Sequence, residues 1–280
     1  MNEFAALILV MVYVFCSVGY TTLIKLSGNR LVLFGALNII TILFGFFFAF
    51  LVPLPSKGVG YVILGSMISY NVMLFFAARA YHVTDMSKVY PISVALKYTL
   101  VILFGKLLLE ETANIFEWIG IIGIGCGILF QMNWSRFLHK EDLHSLFFIT
   151  GMGVFGGLQF CLDIYGTRLS ENPFTYIVWS MFLGIPVSLF AIIKYKIGLV
   201  ALFRKDWKQI IASSFMDNLG YACILLVTYW LKILYVLPVS NLSIVVATLI
   251  GIISLKESMA RRRIASAVVI FLSIALVQIF

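Results

Sequence analysis

SYNVMLFFAARAYHVTDMSKVYPISVALKYTLVILFGKLLLEE, residues 69–111, is the stretch that decides the fold of this chain. It consists of two strongly apolar segments joined by a short polar turn, and Pro91 lies near the start of the second segment. Each segment is close to the roughly 20 residues that an α-helix needs to cross a bilayer. Because backbone groups in lipid must be hydrogen-bonded within their own segment, we expect both segments to be transmembrane helices.

A second stretch, MDNLGYACILLVTYWLKILYVLPVSNLSIVVATLIGIISLKE at residues 216–257, repeats this layout. A shift of 147 residues aligns Asn71 with Asn218 and Pro91 with Pro238 without a gap. Single matches of this kind arise by chance in apolar sequence, but here they fall at matching places in two similar hydropathy profiles. A chain with two related halves is the layout of many secondary transporters.

The composition excludes a soluble globular protein. Of the 280 residues, 62% are hydrophobic and 11% are charged, whereas a soluble domain carries about 25% charged residues. A chain this apolar lacks the polar surface to face water, so lipid must be its solvent. The formal charge of +8 would suggest nucleic acid as a partner of a soluble protein. Here the basic residues lie mostly between apolar runs, so we expect them to flank membrane helices and expect no nucleic-acid partner.

Charged and turn residues separate ten apolar runs, and none shows the ten-residue alternation of a membrane β-barrel. A polar linker, residues 133–143, divides the chain into a first repeat at residues 1–132 and a second at residues 144–280. Because each repeat holds five runs, the two enter the membrane from opposite sides. The sequence therefore predicts an all-α integral membrane protein with ten transmembrane helices arranged as two inverted five-helix repeats. The runs are residues 4–24, 31–52, 58–79, 89–109, 115–132, 144–168, 173–193, 210–232, 235–255 and 264–280.

The distribution of lysine and arginine predicts the orientation. Most of these residues fall in the connections on one side of the ten runs, and the positive-inside rule places that side in the cytoplasm with both termini outside. We expect a multi-pass protein of the plasma (inner) membrane. Residues 195–208 mix Leu, Phe and Trp with Lys and Arg. This segment fits either a helix lying flat at the interface or an ordinary basic loop.

Lys97 is the strongest candidate for a functional residue, because charged groups within membrane helices are costly. It lies about two turns into the fourth run, between Leu96 and Tyr98. In the functional interpretation its ammonium group meets an anionic part of a substrate or an internal carboxylate. In the alternative, the side chain extends to the interface, as long lysines do near helix ends.

Two aspartates are the next candidates, for binding a cationic group or for proton coupling. Asp163 lies in the sixth run, with Gln159 one turn before it on the same helix face. Asp217 opens the eighth run beside Asn218, and Tyr221 lies one turn on. Burial disfavours the charged form of a carboxylate, so either could exchange a proton near neutral pH. The alternatives are that Asp163 reaches the headgroup region and that Asp217 caps a later-starting helix.

Neutral polar and aromatic residues complete the predicted substrate site. Such groups in lipid either bind a ligand or join helices to one another, and Trp and Tyr also serve as interfacial anchors. The complete predicted set is Tyr70, Asn71, Ser93, Lys97, Tyr98, Gln159, Asp163, Trp179, Asp217, Asn218, Tyr221 and Asn241, with Asp163 and Asp217 as the coupling candidates.

Enzyme chemistry has no support in the sequence. The four cysteines lie within apolar runs without a CxxC or Cys/His cluster, so we expect no metal site. The chain has no GxSxG, HExxH or phosphate-binding loop, and its three histidines lie in or beside connecting segments. We therefore expect a protein that is not an enzyme and that holds no cofactor.

The stretch LLLEETANIFEWIGIIGIGCGILF, residues 107–130, resembles a repeat of a known transporter family. Together with Pro91 and Gly105 it resembles the EamA-type repeat of the drug/metabolite transporter superfamily. In that repeat a proline-bearing helix ends on a glutamate, here Glu111, and a glycine nine residues later, here Gly120, opens the next helix.

The second half resembles the same repeat with one departure. Pro238, Gly251 and Glu257 fit, but Ser266 stands where the repeat has glycine. The resemblance covers essentially the whole chain. It implies a ten-helix transporter with a central cavity, alternating access and no covalent chemistry, and it leaves the cargo open. Family members are usually drawn with both termini in the cytoplasm, which is opposite to the orientation that the charge distribution predicts.

Two functional hypotheses follow. The first is a secondary transporter of a small polar or charged metabolite, with an amino-acid-like zwitterion favoured because both charge signs occur near the expected cavity. An organic cation or drug is the alternative cargo, and a proton is a candidate coupling ion. The second hypothesis is a non-transporting membrane scaffold, whose polar membrane residues would all be paired. The chain is expected to contact lipid and to act as a monomer or a homodimer.

Overall fold

A computed structural model describes residues 3–25, 30–83, 114–130 and 142–240, together with single positions and short groups within 89–103 and 242–276. In these parts the regular secondary structure is entirely α-helical, without a strand. The described positions between 89 and 103 are also helical. The helices are α1 (Glu3–Lys25), α2 (Arg30–Ala49), α3 (Lys57–Val83), α4 (Ile115–Phe130), α5 (Asp142–Leu169), α6 (Pro173–Ser180), α7 (Ile185–Trp230) and α8 (Ile233–Ser240).

Four helical stretches are long and apolar enough to cross a membrane, namely Val32–Ala49, Lys57–Ala80, His144–Leu169 and Pro173–Trp230. The prediction of an all-helical protein with membrane-spanning segments is therefore confirmed. The expected spans at 89–109, 235–255 and 264–280 lie largely outside the described residues, as does the linker at 133–143.

Large apolar side chains cover the outside of the helices. Phe47, Tyr61 and Ile68 are 70%, 73% and 66% exposed. In water this surface would be unstable, since apolar area is driven out of contact with water. In a bilayer it meets acyl chains, so the exposed surface agrees with the composition.

The seventh run differs from the sequence prediction, and the connection that follows it is helical. The expected single span at residues 173–193 is broken: α6 ends at Ser180, four residues form a turn, and α7 begins at Ile185. The segment expected at 195–208 as an interfacial helix or a loop is helical, because α7 continues through it to Trp230. Only Tyr195 (φ −126°, ψ 27°) and Asp206 (φ −123°, ψ 24°) leave helical geometry, and each marks a kink.

Helix packing joins the N-terminal half to the C-terminal half. α3 packs along α5, and both α1 and α2 pack along α7. One buried cluster gathers side chains from α1, α3, α5, α6 and α7 around the fully buried Tyr176. A second cluster holds the start of α2 against α7, with Val32 and Leu37 meeting Val187 and Leu199.

Glycines on α5 bring the fourth run close to that helix. A Cβ atom on Gly153 would lie 2.7 Å from Leu96 Cβ, and one on Gly157 would lie 3.1 Å from the Lys97 carbonyl oxygen. Contacts that short leave no room for a side chain. The glycines of α5 therefore allow the fourth run to approach closely, and this approach sets the position of Lys97.

Candidate functional site

A cavity of about 340 Å³ lies where the two halves meet. Its walls come from α1, α2, α3 and the fourth run on one side, and from α5, the turn after α6 and α7 on the other. This volume is in the range of small-molecule sites, which run from about 300 to 1,000 Å³. Predicted site residues that line it are Tyr70, Ser93, Lys97, Gln159, Asp217, Asn218 and Tyr221.

Lys97 lines this cavity, with its Nζ 4.4 Å from the centroid of the Phe160 ring. An ammonium group over an aromatic face is stabilised by about 0.5–2 kcal/mol, with the larger values where water is excluded. In the part of the chain that the structure describes, Lys97 forms no ion pair. The side chain therefore lies in the cavity wall, which favours the functional interpretation over extension to the interface.

Asp217 brings the opposite charge to the same cavity. It is an interior residue of α7 and therefore does not cap a helix, so that alternative is wrong. Its side chain is exposed and lines the cavity. Asp217 and Lys97 interact electrostatically but, among the described residues, they are not joined by an ion pair. Both charges are thus available to a ligand.

Asp163 lies behind the cavity wall rather than in it. Its carboxylate is fully buried and accepts hydrogen bonds from four side chains. Tyr176 donates to Oδ1 at 2.6 Å, Ser66 donates to the same oxygen, and Gln159 and Tyr221 donate to Oδ2. An ionised carboxylate has about four acceptor positions, so these donors fill them all.

The hydrogen bonds around Asp163 fix the orientation of the side-chain amide of one cavity residue, Gln159. The Gln159 amide directs its nitrogen to Asp163 Oδ2. The same nitrogen donates to Tyr221 Oη at 2.7 Å, so both of its N–H groups are used. What Gln159 retains for a ligand in the cavity is its carbonyl oxygen, a hydrogen-bond acceptor.

Asn71 does not line the cavity but stabilises the broken helix that does. In a continuous helix the Val187 N–H would donate to the Leu183 carbonyl four residues earlier. Instead the Asn71 side chain lies between them: its Nδ2 donates to Leu183 O at 2.8 Å, and its Oδ1 accepts from Val187 N at 3.0 Å. The turn between α6 and α7 can therefore stay open without leaving these two backbone groups unpaired.

Two polar residues of α2 belong to the site but were not among the sequence candidates. Asn38 accepts from Tyr70 Oη at 3.1 Å and occupies the space that a side chain at Gly184 would need. Thr41 accepts from Asn218 Nδ2 at 2.8 Å. Both line the cavity. The rule that polar residues in apolar runs are functional candidates would have identified them.

Three predicted residues lie elsewhere or outside the described part. Trp179 does not line the cavity: its Nε1 donates to Pro53 O at 3.1 Å, and its ring packs on Phe182. This arrangement is typical of an anchor. Tyr98 and Asn241 lie outside the described residues.

Comparisons with known proteins give a fold but no family. No family model matches the sequence, and no curated protein matches it. A solved structure described only as "Crystal structure of protein" superposes with a TM-score of 0.65 over 99% of this chain and 98% of that chain, at 12% identity. At that identity the likeness shows a shared fold, across two chains of similar extent, and carries no information about function.

Proposed function

We propose that this chain is a secondary-active transporter of a small polar or charged metabolite, with a zwitterion of amino-acid type as the favoured cargo. One observation carries the proposal: Lys97 and Asp217 line the same cavity with opposite charges, and neither forms an ion pair with a described residue. Unpaired charges in a membrane protein are costly. A ligand with a carboxylate and an ammonium group would pair both.

The broken helix is a second support. Transporters often build midplane sites from discontinuous helices, whose free backbone ends face the substrate. Here Met181, Leu183 and Gly184, from the turn between α6 and α7, line the cavity. Asn71 stabilises this turn from the opposite half.

The two aligned asparagines support the inverted repeat. Each donates to the carbonyl one turn back on its own helix: Asn71 to Met67 O and Asn218 to Ser214 O, both at 2.7 Å. Each also donates across to the other half, to Leu183 O and Thr41 Oγ1 respectively, both at 2.8 Å. Two halves related by symmetry would repeat such contacts.

Helix pairing is consistent with the same symmetry. α1 packs along α7, and α3 packs along α5. In an inverted repeat, α5 would correspond to α1, and the last part of α7 would correspond to α3. Exchanging the two halves then converts the contact of α1 with α7 into the contact of α5 with α3. The 58 residues of Pro173–Trp230 are also long enough for two crossings, since a helix rises about 1.5 Å per residue and the membrane core is about 30 Å thick. Ten crossings in two inverted repeats, as in the EamA-type architecture, remain part of the proposal.

Thermal unfolding of the purified full chain tests the proposal. The probes are phenylalanine, 3-phenylpropionate and phenethylamine, which share a phenylethyl group and differ in the charged groups that it carries. A ligand that binds only the folded state at 100 times its Kd stabilises it by about 2.7 kcal/mol. We expect phenylalanine to raise the Tm most.

Two charge-neutralising variants assign the contacts. In Lys97→Gln the stabilisation by 3-phenylpropionate should be lost, and in Asp217→Asn that by phenethylamine. If phenethylamine alone stabilises, and does so equally in Lys97→Gln, the organic-cation alternative replaces the zwitterion. If a wider panel of metabolites in the three charge classes leaves the Tm unchanged and reconstituted vesicles take up none of them, the scaffold hypothesis stands instead.

A further inference from the structure

A short basic helix lies between the two kinks of α7. It comprises residues 196–205, is bounded by the kinks at Tyr195 and Asp206, and carries Lys194 and Lys208 just outside these bounds. We call residues 194–208 the basic segment. The transport proposal does not use it, and it contributes no residue to the cavity lining.

The inner face of the basic segment is attached to the protein core. Leu199 is buried, and Leu202 and Phe203 pack against the same cluster at the start of α2. A Cβ atom on Gly198 would lie 3.6 Å from a methyl group of Val32. The segment therefore has one fixed orientation, and its outer face is defined.

The outer face combines cations with apolar side chains. Ile197 is 88% exposed and Val200 46% exposed, and Arg204 lies on the same side of the helix at the i, i+3, i+7 spacing. Asp206 is the only acidic residue of the segment. The segment carries five cations with exposed side chains: Lys194, Lys196, Arg204, Lys205 and Lys208.

Aromatic rings accompany the cations at both kinks. Lys194 Nζ lies 5.4 Å from the Phe190 ring centroid, and Lys208 Nζ lies 5.6 Å from that of Trp207, whose side chain is 51% exposed. Within the described part of the chain, no carboxylate forms an ion pair with the five cations. Exposed cations, partly exposed aromatic rings and exposed aliphatic side chains on one helix are typical of a surface lying at the boundary between headgroups and acyl chains.

We propose that the basic segment binds the headgroups of anionic phospholipids, with Ile197 and Val200 among the acyl chains and the five cations around the phosphates. Charge complementarity selects this occupant. A lysine or arginine near an anionic membrane surface gains much more than one near a zwitterionic surface. The charge distribution also places this segment on the cytoplasmic side, whose lipids carry the negative surface charge.

Tryptophan quenching in vesicles tests the proposal on the full chain. The protein is reconstituted into phosphatidylcholine vesicles that contain a fixed fraction of brominated phosphatidylglycerol or of brominated phosphatidylcholine. Trp207 reports lipid at the basic segment, and Trp207→Phe identifies its share of the signal. We expect brominated phosphatidylglycerol to quench this share more strongly, which indicates enrichment of the anionic lipid.

A charge-neutral variant and a matched control decide the cause. Exchanging the five cations for glutamine should lower the preference for phosphatidylglycerol by at least about fivefold. Fivefold is the effect expected if only one of the five cations lies near the anionic headgroups. The control, Lys57→Gln with Lys232→Gln, removes exposed cations at the opposite end of the helices and should leave the preference unchanged. Each variant must first show the wild-type elution volume and Tm.

Three results would overturn the proposal. The first is equal quenching of wild type by the two lipids, and the second is a preference that survives the five substitutions. The third concerns the source of the phosphate. Inorganic phosphate in excess should reduce the preference for phosphatidylglycerol no more than potassium chloride of equal ionic strength, which acts by screening alone. If phosphate reduces the preference further, the segment binds free anions rather than lipid.

Discussion

Replacing Asn71 with leucine tests how the broken helix is stabilised. The substitution keeps the approximate volume but removes the amide that lies between Leu183 O and Val187 N. Each buried backbone group left without a partner costs about 1–3 kcal/mol. If the turn stays open, the free energy of unfolding should therefore fall by about 2–6 kcal/mol.

The chain has a second way to respond, and it has a different signature. If Val187 N–H instead bonds to Leu183 O as in a regular helix, the cost is small, but the turn between α6 and α7 straightens. Met181, Leu183 and Gly184 then leave the cavity wall. Stability would be kept at the expense of ligand binding.

Titration with sodium dodecyl sulfate in mixed micelles measures the free energy of unfolding, and the phenylalanine-induced Tm shift measures binding. Asn218→Leu is the matched control, because its amide donates to Ser214 O and to the Thr41 hydroxyl. That hydroxyl lies 3.1 Å from Ser214 Oγ and keeps this second partner, so we expect a loss of about 1 kcal/mol. An Asn71→Leu protein with unchanged stability and unchanged binding would refute the role assigned to Asn71.

Substitutions at Asp163 and at Gly153 test the packing behind the cavity. Asp163→Leu should lower the free energy of unfolding by about 4 kcal/mol or more, because four donors lose their acceptor. Asp163→Asn should lower it by about half as much, since one acceptor oxygen remains. Equal effects of the two variants in the same detergent titration would contradict the hydrogen-bond network around Asp163. Gly153→Ala should destabilise by about 1–3 kcal/mol through overpacking against Leu96 and weaken binding at Lys97. Gly60→Ala is the control, because a Cβ atom there meets nothing within 4 Å; we expect it to be neutral or stabilising by up to about 1 kcal/mol. If the two glycine variants change stability and ligand binding alike, close approach at Gly153 does not position Lys97.

Much of the cavity wall was predictable, because a polar residue within an apolar run is costly in lipid and can be recognised from the local sequence alone. Lys97, Gln159 and Asp217 stand out in apolar runs, and all three line the cavity. The same rule found Asp163 but not its place behind the wall. That place depends on donors from three other helices, and one of them, Tyr176, resembles any interfacial aromatic residue in the sequence.

The break between α6 and α7 was only partly indicated by its own residues. Residues 173–193 form an apolar run of ordinary length for one span, and Pro186 in its interior indicates a kink or a break without showing which. What stabilises the open turn is Asn71, which is 112 residues from Leu183 in the chain. A local pattern carries no information about such a partner, so the prediction of one continuous helix was wrong.

The four donors around Asp163 also bear on the order in which the protein is assembled. Synthesis runs from the N-terminus, so Ser66 and Gln159 are made before or with the carboxylate, whereas Tyr176 and Tyr221 follow it. A nascent chain that ends after α5 holds a buried carboxylate with half of its partners missing. The later helices complete the set, so insertion of α6 and α7 stabilises a helix already in the membrane. A truncated chain would retain a carboxyl group within the membrane that lacks two of its four hydrogen-bond donors, which is a costly arrangement.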